Sequence, residues 1–86
     1  MTTKVNRLQN LSFLSPGDEG TISSLSHPSE GMTRRLRELG FTEDETVRCV
    51  GVSPGGGMKA YSVLGAVIAL RDVDAVHVRL KSPRLP

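Results

Sequence analysis

Between residues 30 and 41 the apolar positions recur with helical spacing. Met32, Leu36 and Leu39 fall at i, i+4 and i+7, on one face of a helix. Arg34, Arg35, Arg37 and Glu38 fill the opposite face, so the stretch predicts a short amphipathic helix. Ser29 is placed to cap its N-terminus. Gly40 can end it in the left-handed conformation, with Phe41 closing back onto Leu36. The rest of the chain reads as strand and turn. Leu11, Phe13 and Leu14 are the first apolar anchors, and Ser15-Pro16-Gly17-Asp18 is a turn. Glu19 to Leu25 predicts a first strand, and β-branched Thr46 to Val52 a second, with Gly51 marking a bulge. Met58 to Leu64 predicts a third strand, Gly65-Ala66 a hairpin turn, and Val67 to Leu70 a fourth strand. Arg71 to Ala75 reads as a helical turn. Val76, Val78 and Leu80 then alternate with His77, Arg79 and Lys81 as a half-buried last strand.

About five short strands with one helix after the first describe a small, partly closed β-barrel of the SH3-like or OB kind. Residues 1–10 lack periodicity and are expected to be flexible, loose or only partly docked, and 82–86, with two prolines, to be a flexible tail, leaving a single domain over 11–81. At 86 residues the chain builds one compact core. Aromatic residues are 3% (Phe13, Phe41, Tyr61), so that core is aliphatic. The same scarcity argues against aromatic grooves for proline-rich peptides and stacking platforms for single-stranded nucleic acid. The net charge of +2 is modest, and Glu43, Asp44 and Glu45 offset the arginine cluster, so no nucleic-acid partner is expected. A lone cysteine, Cys49, excludes an intrachain disulfide and fits a reducing compartment. No apolar run reaches the roughly 20 residues that span a bilayer, and no signal peptide is visible, which points to the cytoplasm.

Taken in order, Leu14-Ser15-Pro16-Gly17-Asp18-Glu19-Gly20-Thr21-Ile22, Arg34-Arg35-Leu36-Arg37-Glu38-Leu39-Gly40-Phe41, Val47 and Ile68-Ala69-Leu70-Arg71 resemble the FeoA family. These are small cytosolic proteins that accompany the bacterial ferrous-iron transporter FeoB. The resemblance runs from about Leu11 to Leu80; the Pro-Gly that relatives often carry after the helix is replaced by Glu43-Asp44-Glu45. It implies a mainly β, SH3-like, partly closed barrel with one inserted amphipathic α-helix. It also implies a non-catalytic accessory or regulator of ferrous-iron uptake that binds the cytoplasmic GTP-binding part of FeoB, so that membrane contact is indirect. The alternative is a metal-responsive module resembling the C-terminal domain of iron- and manganese-dependent repressors. Transition-metal binding is a further expectation of the resemblance, weighed below against the residues.

Catalysis needs a nucleophile or acid–base pair oriented by a third group. Cys49 sits inside a strand, where a free cysteine is a small buried hydrophobe, and neither His27 nor His77 has an evident partner. No enzyme is expected. Asp74 and His77, three apart, can share an ion, with Cys49 or His27 approaching in space. No recognised ligand spacing is present, so no metal site and no cofactor are assigned. Ser53-Pro54-Gly55-Gly56-Gly57-Met58-Lys59 lacks Walker spacing and precedes a strand, so it reads as a hairpin loop available for docking. Candidate partner-binding residues are therefore Arg34, Arg35 and Arg37 on the helix and Gly55, Gly56, Gly57 and Lys59 at the loop. The competing reading of the helix face is a solvated surface with an Arg34–Glu38 pair. Exposed strand edges also leave room for a weak homodimer.

Overall fold

Alternation along the chain becomes one curled antiparallel sheet in the computed structural model, which describes residues 9–81. Its strands are β1 (Glu19–Leu25), β2 (Thr46–Val52), β3 (Met58–Val63), β4 (Ala66–Arg71) and β5 (Val78–Leu80). They lie in the order β4-β3-β2-β1-β5. Helix α1 (Glu30–Leu39) is inserted between β1 and β2, and the one-turn helix α2 (Asp72–Ala75) leads from β4 into β5. The edge strands β4 and β5 do not pair with each other, so the barrel is only partly closed. This is the SH3-like, mainly β architecture with an inserted helix.

The inward positions of the strands form the core. Val47 and Cys49 are buried between exposed neighbours in β2, and Val78 and Leu80 flank exposed Arg79 in β5. Ile22, Leu36, Phe41, Tyr61 and Val63 join them with Leu11, Leu14, Leu70 and Ala75, so two aromatic rings sit in an otherwise aliphatic core. Its large aliphatic members are each worth roughly 1.5–3 kcal/mol on full burial. Tyr61 donates its hydroxyl to the carbonyl of Leu11 at 3.2 Å, the bond that lets a phenol sit in an apolar core.

Both ends of α1 form as its sequence predicts. Ser29 Oγ accepts the N–H of Met32 at 3.1 Å. Gly40 takes φ +113°, donates to the Arg37 carbonyl, and lets Phe41 donate to the Leu36 carbonyl at 2.9 Å. That pair of bonds closes the helix as a Schellman motif, with Leu36 and Phe41 both fully buried. The expected bulge is also present: the β2–β3 register slips between Cys49 and Gly51, which leaves Val50 unpaired and exposed.

Three expectations are corrected. The β3–β4 turn is Leu64-Gly65 rather than Gly65-Ala66, because a two-residue turn of this hand needs positive φ at both positions and Ala66 pairs with Val63. Phe13 is 56% exposed. It belongs to a 3₁₀ turn over Leu11–Phe13, whose threefold repeat sends Leu11 and Leu14 inward together. Val76 ends α2 in the helical region, so strand alternation begins only at Val78. At the edge of the segment expected to be loose or only partly docked, Gln9 and Asn10 dock: the Leu80 N–H donates to the Gln9 carbonyl, Asn10 bridges to Arg79, and its side chain caps the 3₁₀ turn. The remaining expected loose segments, 1–8 and 82–86, lie outside the described residues.

Candidate functional site

The amphipathic pattern of α1 turns Arg34, Arg35 and Arg37 outward, but they do not form one equivalent face. Arg37 is committed: its Nη1 and Nη2 donate to Oε1 and Oε2 of Glu43 at 2.7 and 3.0 Å. That bidentate contact, with help from its own backbone, brings the Glu43 carboxyl down to about 2. The Arg34–Glu38 pair of the competing reading does not form. Among the described residues Arg34 and Arg35 make no ion pair, and they are the available cations of the helix.

The loop residues divide in the same way. Lys59 is turned inward, its Nζ donating to the Ser12 carbonyl at 2.7 Å and standing 3.7 Å from Asp72 Oδ1. With its side chain 16% exposed, Lys59 clips the 3₁₀ turn and α2 to β3 and is not a free contact residue. Gly55, Gly56 and Gly57 are exposed. Their loop is closed by the Ser53 hydroxyl and the Gly56 N–H, which donate to the Gly56 and Ser53 carbonyls respectively. Gly57 also accepts from the Asp72 N–H at 2.8 Å, tying the loop to α2.

What the fold brings together is α1 and the edge strand β4. A groove of about 280 Å³ lies between them, floored by Met32, Leu39, Ile68 and Leu70, with Arg35 and Arg71 at its rim and Met58, next after the glycine loop, at one end. Its volume is below the range of about 300–1,000 Å³ usual for small-molecule sites. It suits a side chain or two.

Asp74 is held at one side of this groove, and its partners are not those its spacing implied. Oδ1 accepts from His27 Nε2 at 2.9 Å and Oδ2 accepts from Arg71 Nε at 3.1 Å. His27 Nδ1 accepts from the Ser29 N–H at 3.0 Å, which assigns the ring proton to Nε2. The His27 bond, aided by Arg71, holds the Asp74 carboxyl below its ordinary value against the opposing effect of burial. His77 meets the His27 ring edge-on, their centroids 4.8 Å apart. Cys49 is fully buried, its Sγ facing the Gly51 carbonyl. Among the described residues no group of three or more His, Cys, Asp or Glu side chains is arranged to hold a metal ion. Of the two residues expected to approach Asp74, His27 does so and Cys49 does not, a choice the sequence left open because His27 and Asp74 are 47 residues apart.

Among the described residues no helix is long and apolar enough to cross a membrane. No curated protein matches the sequence significantly. The chain is similar to the crystal structure of Stenotrophomonas maltophilia FeoA complexed with zinc, at 34% identity and a TM-score of 0.76, over 85% of this chain and 89% of that one. That protein is described as a prokaryotic SH3 domain protein put forward as a bacterial ferrous iron transport activating factor. The solution structure of Chlorobium tepidum FeoA shares the fold at 22% identity and a TM-score of 0.79, over 86% of this chain and 70% of that one. A manganese-dependent transcriptional repressor shares it at 23% identity and a TM-score of 0.77, over 87% of this chain but 36% of that one. The family model for the FeoA domain matches residues 9–82, the span that carries the sheet, the capped helix and the groove, and the chain therefore belongs to the FeoA family.

Proposed function

We propose that this protein is a non-catalytic accessory of bacterial ferrous-iron uptake, acting in the cytoplasm by binding the GTP-binding part of a FeoB-type transporter. Family membership over residues 9–82 is the observation that carries this reading. The surface is consistent with it: Arg34 and Arg35 stand free on a helix anchored at both ends, a rigid cationic face for an acidic partner. The candidate nucleophile and imidazoles are occupied structurally, Cys49 in the core and His27 in the Asp74 contact.

The test is a pull-down of tagged protein from gently solubilised membranes of its own organism, with the Arg34→Glu/Arg35→Glu variant alongside. Recovery of a large membrane GTPase with the wild type supports the proposal, and its loss with the folded variant assigns the contact to α1. Failure to recover such a GTPase under conditions that preserve weak complexes would sink it.

A further inference from the structure

We propose that the free edge of β4 and the adjoining groove form a docking site for an extended acidic segment of a partner protein, with an apolar residue flanked by carboxylates. This surface deepens the reading of the protein as a transporter-binding accessory and rests on it. Among the described residues β4 pairs with β3 alone, so the backbone groups along its other edge are open to an added strand. With six residues, β4 can accept a complementary strand of about the same length.

The groove then selects the side chains. Met32 and Leu39 on α1 and Ile68 and Leu70 on β4 give it an apolar floor. An added strand alternates its side chains, so an apolar residue facing inward is seated on that floor while carboxylates two positions away share its face and can reach the rim. The rim carries two cations. Arg35 makes no ion pair among the described residues. Arg71 uses Nε to hold Asp74, which fixes the guanidinium and leaves its Nη groups as donors on a side chain 66% exposed. Asp74 offsets the charge of Arg71, so among the described residues Arg35 is the uncompensated cation of the rim and Arg71 contributes its remaining Nη donors. The same rim argues against a second copy of this chain: pairing β4 with β4 brings two Arg35 side chains to one seam, like charge against like.

The experiment uses the whole chain, labelled with ¹⁵N, and random 12-residue peptides displayed on phage as the probe. The expected result is enrichment of peptides with acidic residues flanking an apolar one. These should shift amides of β4 and α1, slow hydrogen exchange along β4, and bind about tenfold more weakly to the Arg35→Glu/Arg71→Glu variant. Arg35→Glu alone spares the Asp74 contact and serves if the double variant misfolds. The proposal is overturned if no peptide is enriched, if the enriched ones lack carboxylates or shift another surface, or if folded Arg35→Glu binds them unchanged. A dimer through β4 in sedimentation would also overturn it. Titration with the isolated cytoplasmic part of the transporter separates the two claims. Binding that leaves β4 unshifted removes this site and keeps the accessory role; peptide binding at β4 without transporter binding does the reverse.

Discussion

His27 Nε2 donates to Asp74 Oδ1 across 2.9 Å and so fastens the loop before α1 to α2. The bond is more than local, because Thr33 donates its hydroxyl to the His27 carbonyl and the Ser26 N–H donates to the His77 carbonyl. The approach to α1 is thereby fixed against the segment that leads into β5. Asp74 also orients Arg71, so one buried carboxylate sets the position of a cation at the groove rim.

Replacing that carboxylate should therefore act on both stability and pH dependence. Asp74→Asn removes the charge that pairs with His27 and Arg71 and should cost about 1–3 kcal/mol near neutral pH. The Asp74 carboxyl is held below its ordinary value, chiefly by His27, so its contribution is complete above the unfolded value of about 3.9. It is lost as pH falls through the lower folded value. Urea midpoints measured from pH 6 downward should converge for wild type and variant at the acid end. A gap that persists unchanged at pH 2 would refute the assignment.

The C-terminus of α1 should tolerate little change. Gly40 has φ +113°, and a Cβ there would lie 3.1 Å from Leu64 Cδ1. Gly40→Ala should destabilise by about 1–3 kcal/mol from backbone strain. Leu36→Ala, a truncation at a fully buried position, should cost about 2–5 kcal/mol. Chemical denaturation of both variants checks the ranking.

Glu43 offers a spectroscopic test that needs no partner. Its carboxyl should titrate at about 2 in the wild type and return toward about 4.3 in Arg37→Gln, read by ¹³C NMR of the side chain. Both groups of the pair are exposed, so little change in global stability should accompany the shift.

Lys59→Met keeps the aliphatic stem and removes the ammonium that serves the Ser12 carbonyl. The expected loss is about 1–3 kcal/mol in urea unfolding, from leaving that carbonyl without its donor. The peptides that bind β4 should retain their affinity for the folded variant. A selective loss of binding with stability intact would return Lys59 to the contact surface.

Local chemistry made much of this fold readable. β1 and β2 have their expected limits because their patterns are bounded by turn residues, and α1 carries signals at both ends. The Leu64-Gly65 turn was misplaced by one residue because leucine rarely adopts positive φ and its sequence gives no warning of it. Phe13 looked like an anchor because it is apolar, but the 3₁₀ repeat pairs Leu11 with Leu14 and leaves Phe13 outside. At the candidate site, Arg34 and Arg35 were readable as exposed cations, whereas Lys59 was not readable as a clip. Its partner Ser12 is 47 residues away, and nothing in a glycine-rich loop reveals which neighbour its flanking lysine will reach.

The sheet order has a consequence for how the molecule comes apart. β2, β3 and β4 form a meander of neighbours in the chain, whereas β5 is a three-residue strand that returns to β1 and is backed by Gln9 and Asn10. The meander can persist as a contiguous cooperative unit, while the β1–β5 seam depends on segments from opposite ends of the chain finding one another. Opening that seam uncovers Ile22, Val78 and Leu80 together. Parting β1 from β5 accordingly exposes core side chains drawn from both halves of the fold while the β2–β3–β4 meander stays in place.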